Sequence, residues 1–264
     1  GYITDEHIVE CRGLLRKSKR IGVEATVEEL LVKQGHLSEE QLGELRELDE
    51  LCDGDGTAFG SYRLAGLLGE GGMGKVYEAT HEFMKRPVAV KIINANATRN
   101  ETSSARFFQE IRALVKLDHP LIITLYDAVK VKRRYYYAMQ LLKGKSLGDC
   151  VERRGPFPES EALSIVRKVA RALAHAHRRS VIHRDIKPEN ILLDDRGEPV
   201  VSDFGLVMHH DHDHLTLTQE GLMVGSLHYA SPEQAEGSRD IDGRSDIYSL
   251  GATLYFLLTG NTLY

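Results

Sequence analysis

Apolar positions along the chain fall into three successive textures. Over the first fifty residues they recur at helical spacing, as in Val27, Leu30 and Leu31. Gly35 follows that run and is expected to end its helix as a left-handed cap. Ser38 with Gln41 matches the S-x-x-Q capping box, so a second helix is expected to start there. Residues 1–8 and 35–42 echo one another at an offset of 34 residues. Two copies without the aromatic and small-residue signature of a tetratricopeptide do not make a solenoid. Residues 1–52 therefore read as a small helical module, and 53–61 as a turn-rich joint.

From Tyr62 the texture changes to alternating apolar residues broken by turns. Residues 62–68, 76–80, 88–93, 124–131 and 135–142 read as strands. One helix interrupts them, with Phe107, Ile111 and Leu114 on one face. After Gly144 the pattern is mainly helical, and Ala162, Ile165, Val166, Val169 and Leu173 form an apolar stripe. A β-rich part followed by an α-rich part predicts an α+β architecture with a cleft between the two, where ligands usually bind. The run 247–258, interrupted by Ser249, Gly251 and Thr253, is too short to cross a bilayer and reads as a buried helix.

Composition narrows the function classes. Hydrophobic residues make up 42% and charged residues 28% of the 264, as in ordinary globular proteins, which excludes collagen-like and wholly disordered chains. A net charge of −5 disfavours a protein that coats nucleic acid. The basic run Arg12, Arg16, Lys17, Lys19 and Arg20 reads as a solvated helix face. Cys11, Cys52 and Cys150 are odd in number and far apart, which suggests neither a disulfide framework nor a zinc knuckle and fits a reducing compartment. The chain starts at Gly1 without a charged-then-apolar leader. Asp53-Gly-Asp-Gly-Thr57 has the look of a calcium loop, but Thr57, Ala58 and Leu64 occupy positions where that loop needs an oxygen ligand, a glycine and a bidentate Glu.

Candidate chemistry begins at Gly69-Glu-Gly71-Gly-Met-Gly74-Lys-Val76. As a P-loop it fails, because Val76 falls where the magnesium-binding hydroxyl must be. As a dinucleotide fingerprint it also fails, because a strand-like segment follows it in place of a helix. What remains is a hairpin whose glycines let backbone N–H groups approach a triphosphate, with Val76 covering the base. Downstream come Val88-Ala-Val-Lys91, Glu110 on the interposed helix, His183-Arg-Asp185-Ile-Lys187-Pro-Glu-Asn190, and Asp203-Phe-Gly205 after a strand. Glycine loop, lysine strand, H-R-D loop and D-F-G in this order form the protein-kinase set.

From Tyr62 onward the chain thus resembles bacterial Hanks-type Ser/Thr protein kinases. The resemblance implies a two-lobed kinase fold over 62–264, with a β-rich lobe at about 62–142 and an α-rich lobe at 143–264. It implies ATP with Mg2+, for which Mn2+ could stand in, and a protein substrate bearing a Ser or Thr acceptor. Matched motif by motif, Lys91 would contact the α- and β-phosphates and pair with Glu110. Asp203 and Asn190 would hold the metal, a hard cation that wants oxygen ligands. Asp185 would orient the attacking hydroxyl and accept its proton, and Lys187 would steady the transferring group. Leu68, Gly69, Gly71, Gly74, Val76, Ala89 and Leu192 would line the nucleotide site, with Met139 as gatekeeper and Gln140 to Leu142 as the adenine hinge.

The same resemblance makes the residues between Asp203 and Glu233 an activation segment. Phosphate on Thr216 or Thr218 would neutralise Arg184, and Ser226 would help align Asp185 and Lys187. Ser231 replaces the Ala of A-P-E. His209, His210, Asp211, His212, Asp213 and His214 read as a flexible pH-sensitive stretch rather than a metal site. Asp246 would hold the H-R-D loop. Family members continue with further helices past this point, so the α-rich lobe reads as cut short after its central helix, with Glu233 lacking its usual Arg. Low activity or solubility of this polypeptide is the expectation that follows. The compartment implied is the cytoplasm, with membrane tethering through sequence beyond Tyr264 left open. Residues 1–52 would serve localisation or regulation through a protein partner. A second class of function, a pseudokinase scaffold that binds nucleotide without transferring phosphate, is opposed by the presence of Lys91, Asp185, Asn190 and Asp203.

Overall fold

A computed structural model describes residues 26–36, 38–39, 42, 58–71, 74–93, 111–131, 134–204, 227–238 and 240–264. The chain divides into two compact units, residues 1–67 with 79–86 and residues 68–78 with 87–264.

In the first unit, α1 (Val27–Lys33) opens on a capping box that joins Thr26 and Glu29 in both directions. It closes as expected at Gly35, whose φ of +74° suits a residue without Cβ. His36 N–H donates to Leu31 and Gly35 N–H to Val32, the double bond of a Schellman ending. Residue 39 is helical and Leu42 N–H donates to the Ser38 carbonyl, while Gln41 lies outside the described residues. The short β1 (Ala58–Phe59) pairs antiparallel with the start of β2 (Tyr62–Gly71). Tyr62 is buried and meets His81 edge-on at 5.0 Å.

The alternation seen in the sequence yields β3 (Gly74–His81), β4 (Arg86–Ile93), β5 (Leu125–Val131) and β6 (Arg134–Gln140). The sheet runs in the order β1-β2-β3-β4-β6-β5. In the antiparallel pairing of β4 with β6, Ala89 faces Met139 and Lys91 faces Tyr137. Side chains alternate along a strand, so these four project from the same face.

Beyond the sheet, β7 (Lys145–Ser146) leads into α2 (Leu147–Arg154), which Ser146 and Asp149 cap reciprocally. The helix α3 (Glu159–His177) buries Ala162, Ile165, Val169, Ala172, Leu173 and Ala176, and Val166 sits half-buried at the edge of that stripe. Full burial of Leu173 contributes about 1.5–3 kcal/mol. A single 3-10 turn (Pro188–Asn190) precedes β8 (Ile191–Leu193), and β9 (Pro199–Val201) completes a small sheet ordered β7-β8-β9. Among the described residues two further helices follow, α4 (Pro232–Ala235) and α5 (Gly243–Thr259).

The segment 247–258 lies within a helix, α5, that is buried along one side. The buried side of α5 is Ser245, Asp246, Ser249, Leu250, Ala252, Thr253 and Leu257, while Ile247, Tyr255 and Leu258, which the helical rotation brings onto the opposite side, are exposed. Among the described residues of the second unit, one apolar cluster runs from Ala89 and Ile93 through Met139, Leu147 and Leu173 to Leu257. Val201 is clasped by the preceding loop, donating to the Leu121 carbonyl and accepting from Ile123, both at 2.9 Å. Among the described residues no helix is long and apolar enough to cross a membrane.

Candidate active site

The loop 183–190 is fixed by groups that lie behind it. Asp246, fully buried on α5, accepts the His183 N–H at 2.9 Å on one oxygen and the Arg184 N–H at 2.8 Å on the other. His177 at the end of α3 adds a contact of 2.6 Å. Burial by itself would raise the Asp246 pKa, but the hydrogen bonds from His177 and the two backbone amides outweigh it and hold the carboxyl below its ordinary value. Gly243 makes room for His177, since a Cβ there would lie 2.6 Å from the ring.

His183 is also fully buried. Its Nε2 donates to the Ser202 carbonyl at 2.9 Å, and its Nδ1 accepts the Asp185 N–H at 3.2 Å. A carbonyl can only accept, so the two bonds together require the neutral tautomer with the proton on Nε2. Burial pushes the His183 pKa down, in agreement. Its ring lies 4.4 Å from that of Phe204.

Arg184 and Asp203 have φ of +67° and +53°, left-handed backbone that costs about 1–3 kcal/mol for a residue with a side chain. Their neighbours hold them there. Besides the Asp246 bond, Arg184 offers its carbonyl to Gln234 Nε2 at 2.7 Å. Gln234 Oε1 in turn accepts the Ser231 N–H, while Ser231 Oγ caps α4. The serine that departs from A-P-E thus makes the capping box that orients Gln234.

On the open side of this scaffold the reactive groups converge. Asp185 Oδ2 lies 2.9 Å from Lys187 Nζ and 2.9 Å from Asn190 Nδ2. Asn190 Nδ2 also donates to the Asp185 carbonyl at 2.7 Å. Both partners are acceptors, so the amide nitrogen faces Asp185 and the amide oxygen is left for a hard cation. Nearby, Lys91 Nζ pairs with Asp203 Oδ1 at 2.7 Å, and the Tyr137 hydroxyl donates to the same oxygen at 3.2 Å. Burial tends to raise the Asp203 pKa, but the Lys91 ammonium outweighs it and the net direction is down. Burial, and then the Asp203 charge, push the Tyr137 pKa well up, so its phenol stays protonated. The partner the structure gives Lys91 is therefore Asp203, while Glu110 lies outside the described residues.

The glycines differ in what they do. At Gly74, with φ +146°, a Cβ would lie 2.0 Å from the Ile92 carbonyl oxygen, so the packing of β3 on β4 alone demands glycine. At Gly69 and Gly71 a Cβ would meet nothing within 4 Å, which leaves their surroundings open. Leu68 is 50% exposed. Ala89 and Met139 are buried, whereas Val76, Gln140, Leu142 and Leu192 are half-buried. The Gln140 N–H donates to the Thr124 carbonyl at 2.9 Å, which ties down the start of the expected hinge. Thr216, Thr218, Ser226 and the histidine cluster at 209–214 lie outside the described residues. Glu233, expected to stand without a partner, accepts the Ser245 hydroxyl, and that bond leads the lowering of its pKa.

Three polar groups escaped the sequence reading: Tyr137, His177 and Gln234. A signal existed for the first. Tyr137 precedes Met139 by two positions, as Ala89 precedes Lys91, so period two places it on the same sheet face as Met139. His177 and Gln234 act across 69 and 50 residues respectively, and no local pattern announces such partners.

Residues 62–264 match the model of the protein kinase domain. The serine/threonine-protein kinase PrkC of Bacillus subtilis is 39% identical over 201 residues, which cover 76% of this chain and 31% of that protein. PknL of Mycobacterium bovis, also a serine/threonine-protein kinase, is 37% identical over 201 residues, 76% of this chain and 50% of that protein. The chain thus spans a third to a half of the length of these relatives. The crystal structure of the Mycobacterium tuberculosis PknI kinase domain superposes with a TM-score of 0.66 at 28% identity, covering 80% of this chain and 79% of that one. With its motifs, fold and kin in agreement, the chain belongs to the protein kinase family, in its bacterial Hanks-type branch.

Proposed function

We propose that this chain carries the catalytic domain of a Ser/Thr protein kinase that moves the γ-phosphoryl group of ATP onto a protein hydroxyl. The observation that carries the reading is the convergence of Asp185, Lys187 and Asn190 within hydrogen-bonding distance, beside the Lys91–Asp203 pair. Phosphoryl transfer asks for charge neutralisation and in-line positioning, and these residues supply both.

Asp185 accepts the proton of the substrate hydroxyl as its oxygen bonds to phosphorus and the bond to the ADP oxygen breaks. Lys187 neutralises charge on the moving group, and Lys91 takes up the α- and β-phosphates. Asp203 and the amide oxygen of Asn190 fit a divalent cation, which supplies further neutralisation of the phosphates when bound. Gly69 and Gly71 leave room for phosphates. Leu68, Val76, Ala89, Met139, Gln140, Leu142 and Leu192 surround the base, with Gly74 shaping the hairpin above it. Arg184, held by Asp246 and Gln234, is the receptor for phosphate on Thr216 or Thr218, and Ser226 aligns Asp185. Glu110 would become the partner of Lys91 once Lys91 is drawn from Asp203 to the phosphates. The kinase domain occupies 62–264, joined through 53–61 to a helical module at 1–52 that binds a protein partner, and it works in the cytoplasm.

Incubation with labelled ATP and Mg2+ tests the reading. The native chain incorporates label into itself or an added protein acceptor, on Ser or Thr. Asp185→Asn lowers the rate by about a hundredfold to ten-thousandfold, and Lys91→Met also falls silent. Equal labelling by native and Asp185→Asn protein would sink it and favour the scaffold alternative.

A further inference from the structure

Beside the ion pair of Lys91 and Asp203 stands a third polar group that neither charge requires. The Tyr137 hydroxyl donates to Asp203 Oδ1 at 3.2 Å, the same oxygen that Lys91 approaches at 2.7 Å. Tyr137 is 3% exposed, and a phenol so buried needs a partner. Its place is set by the sheet, because the β4–β6 register puts it directly opposite Lys91. The Asp203 side chain, by contrast, is 28% exposed and hangs from left-handed backbone, so its direction depends on what grips it.

We propose that Tyr137 is a positioning residue that keeps the Asp203 carboxylate turned inward, in its metal-gripping direction, when Lys91 is drawn to the nucleotide phosphates. This rests on the kinase reading above, in which Lys91 and Asp203 part company during the reaction. An ammonium shared between a carboxylate and a phosphate weakens its hold on each. The phenol has no such second duty. Its hydroxyl, buried beside the carboxylate and fixed by the sheet, keeps its bond to Asp203 Oδ1. Tyr137 contributes to metal affinity through Asp203, without touching metal or substrate.

Tyr137→Phe fills the same volume and removes the hydroxyl alone. Nucleotide binding is followed by titration calorimetry, first without divalent ions and then across a Mg2+ series, with thermal melting as a control. The variant should melt like the native chain and bind Mg2+-free ADP equally well. The Mg2+ concentration that half-saturates the tightening of ADP binding should rise about tenfold, the scale of one hydrogen bond to a charged group. The half-saturating Mg2+ for phosphoryl transfer should rise in parallel, and recover at high Mg2+. Should Tyr137→Phe melt early, Tyr137→Met offers a second donor-free apolar filling, and the same shift is expected.

Asp203→Asn separates the two layers. If it binds Mg2+–ADP as tightly as native protein, the kinase reading of Asp203 is wrong. If it loses Mg2+-dependent tightening while the Tyr137 variants keep the native Mg2+ dependence, the role of Tyr137 alone is overturned.

Discussion

The loop 183–190 and the corner formed by Lys91 and Asp203 are secured in opposite ways. The loop is bolted from behind: Asp246, Ser202 and Gln234 grip its backbone and His183, and His177 braces Asp246. The corner is held by its own working parts, since Lys91 and Asp203 hold each other. A group that must stay put while a proton passes is anchored by bystanders. On the reading proposed above, Lys91 and Asp203 exchange partners when nucleotide arrives, while Tyr137 stays on Asp203.

The largest expected effect lies on the bolted side. Asp246→Ala leaves the amides of His183 and Arg184, and the imidazole of His177, without their acceptor, and should cost about 3–5 kcal/mol in urea unfolding. Lys91→Met, which on the proposed reading abolishes transfer, should cost about 1–2 kcal/mol at most, because the Asp203 it abandons still reaches solvent and Tyr137. Equal destabilisation by the two variants would erase the contrast. Next come the glycines. Gly74→Ala drives a methyl into the Ile92 carbonyl and should cost about 2–3 kcal/mol, whereas Gly71→Ala, in open space, should change stability by less than about 0.5 kcal/mol. Parallel denaturant curves for the two variants decide this.

A pH series sharpens the comparison further. Burial holds the pKa of His183 below 6.5, and burial lowers those of His119 and His175 as well. The unfolded chain therefore binds protons that the fold refuses. Stability is full above about pH 7 and declines as the pH drops toward about 5. The carboxyls of Asp246 and Asp203, lowered from 3.8, add a second loss that begins only near pH 4 and below. Melting temperatures that stay flat from pH 7 to pH 5 would contradict the neutral, buried His183. The smallest effect belongs to the exposed pair Arg63–Glu82. Arg63→Ala should cost under about 1 kcal/mol and lose even that in high salt.

What could be read from the chain alone follows the same division. Strands β2 to β6 and the stripe of α3 declare themselves by local periodicity, and the working residues by motif. The bolts do not. Asp246 was legible as an anchor through its motif, but His177 and Gln234 carry no pattern, because their partners are brought to them by the packing of α3, α4 and α5. Tyr137 was hidden for another reason. Three consecutive tyrosines, all buried, look like core filling until the register of β4 and β6 singles out the one beside Lys91. Ser249 and Thr253, read as interruptions of an apolar run, lie instead on the buried side of α5 together with Ser245 and Asp246. Ser245 also supplies the partner that Glu233 was expected to lack.

The clasp of Val201 by residues 121 and 123, inside one uninterrupted apolar cluster, also bears on how the second unit comes apart. Neither the strands from β4 onward nor the helices around α3 can shed their packing without stripping the other. Heating should therefore produce one cooperative calorimetric peak for this part of the chain, not a staircase of separate melts.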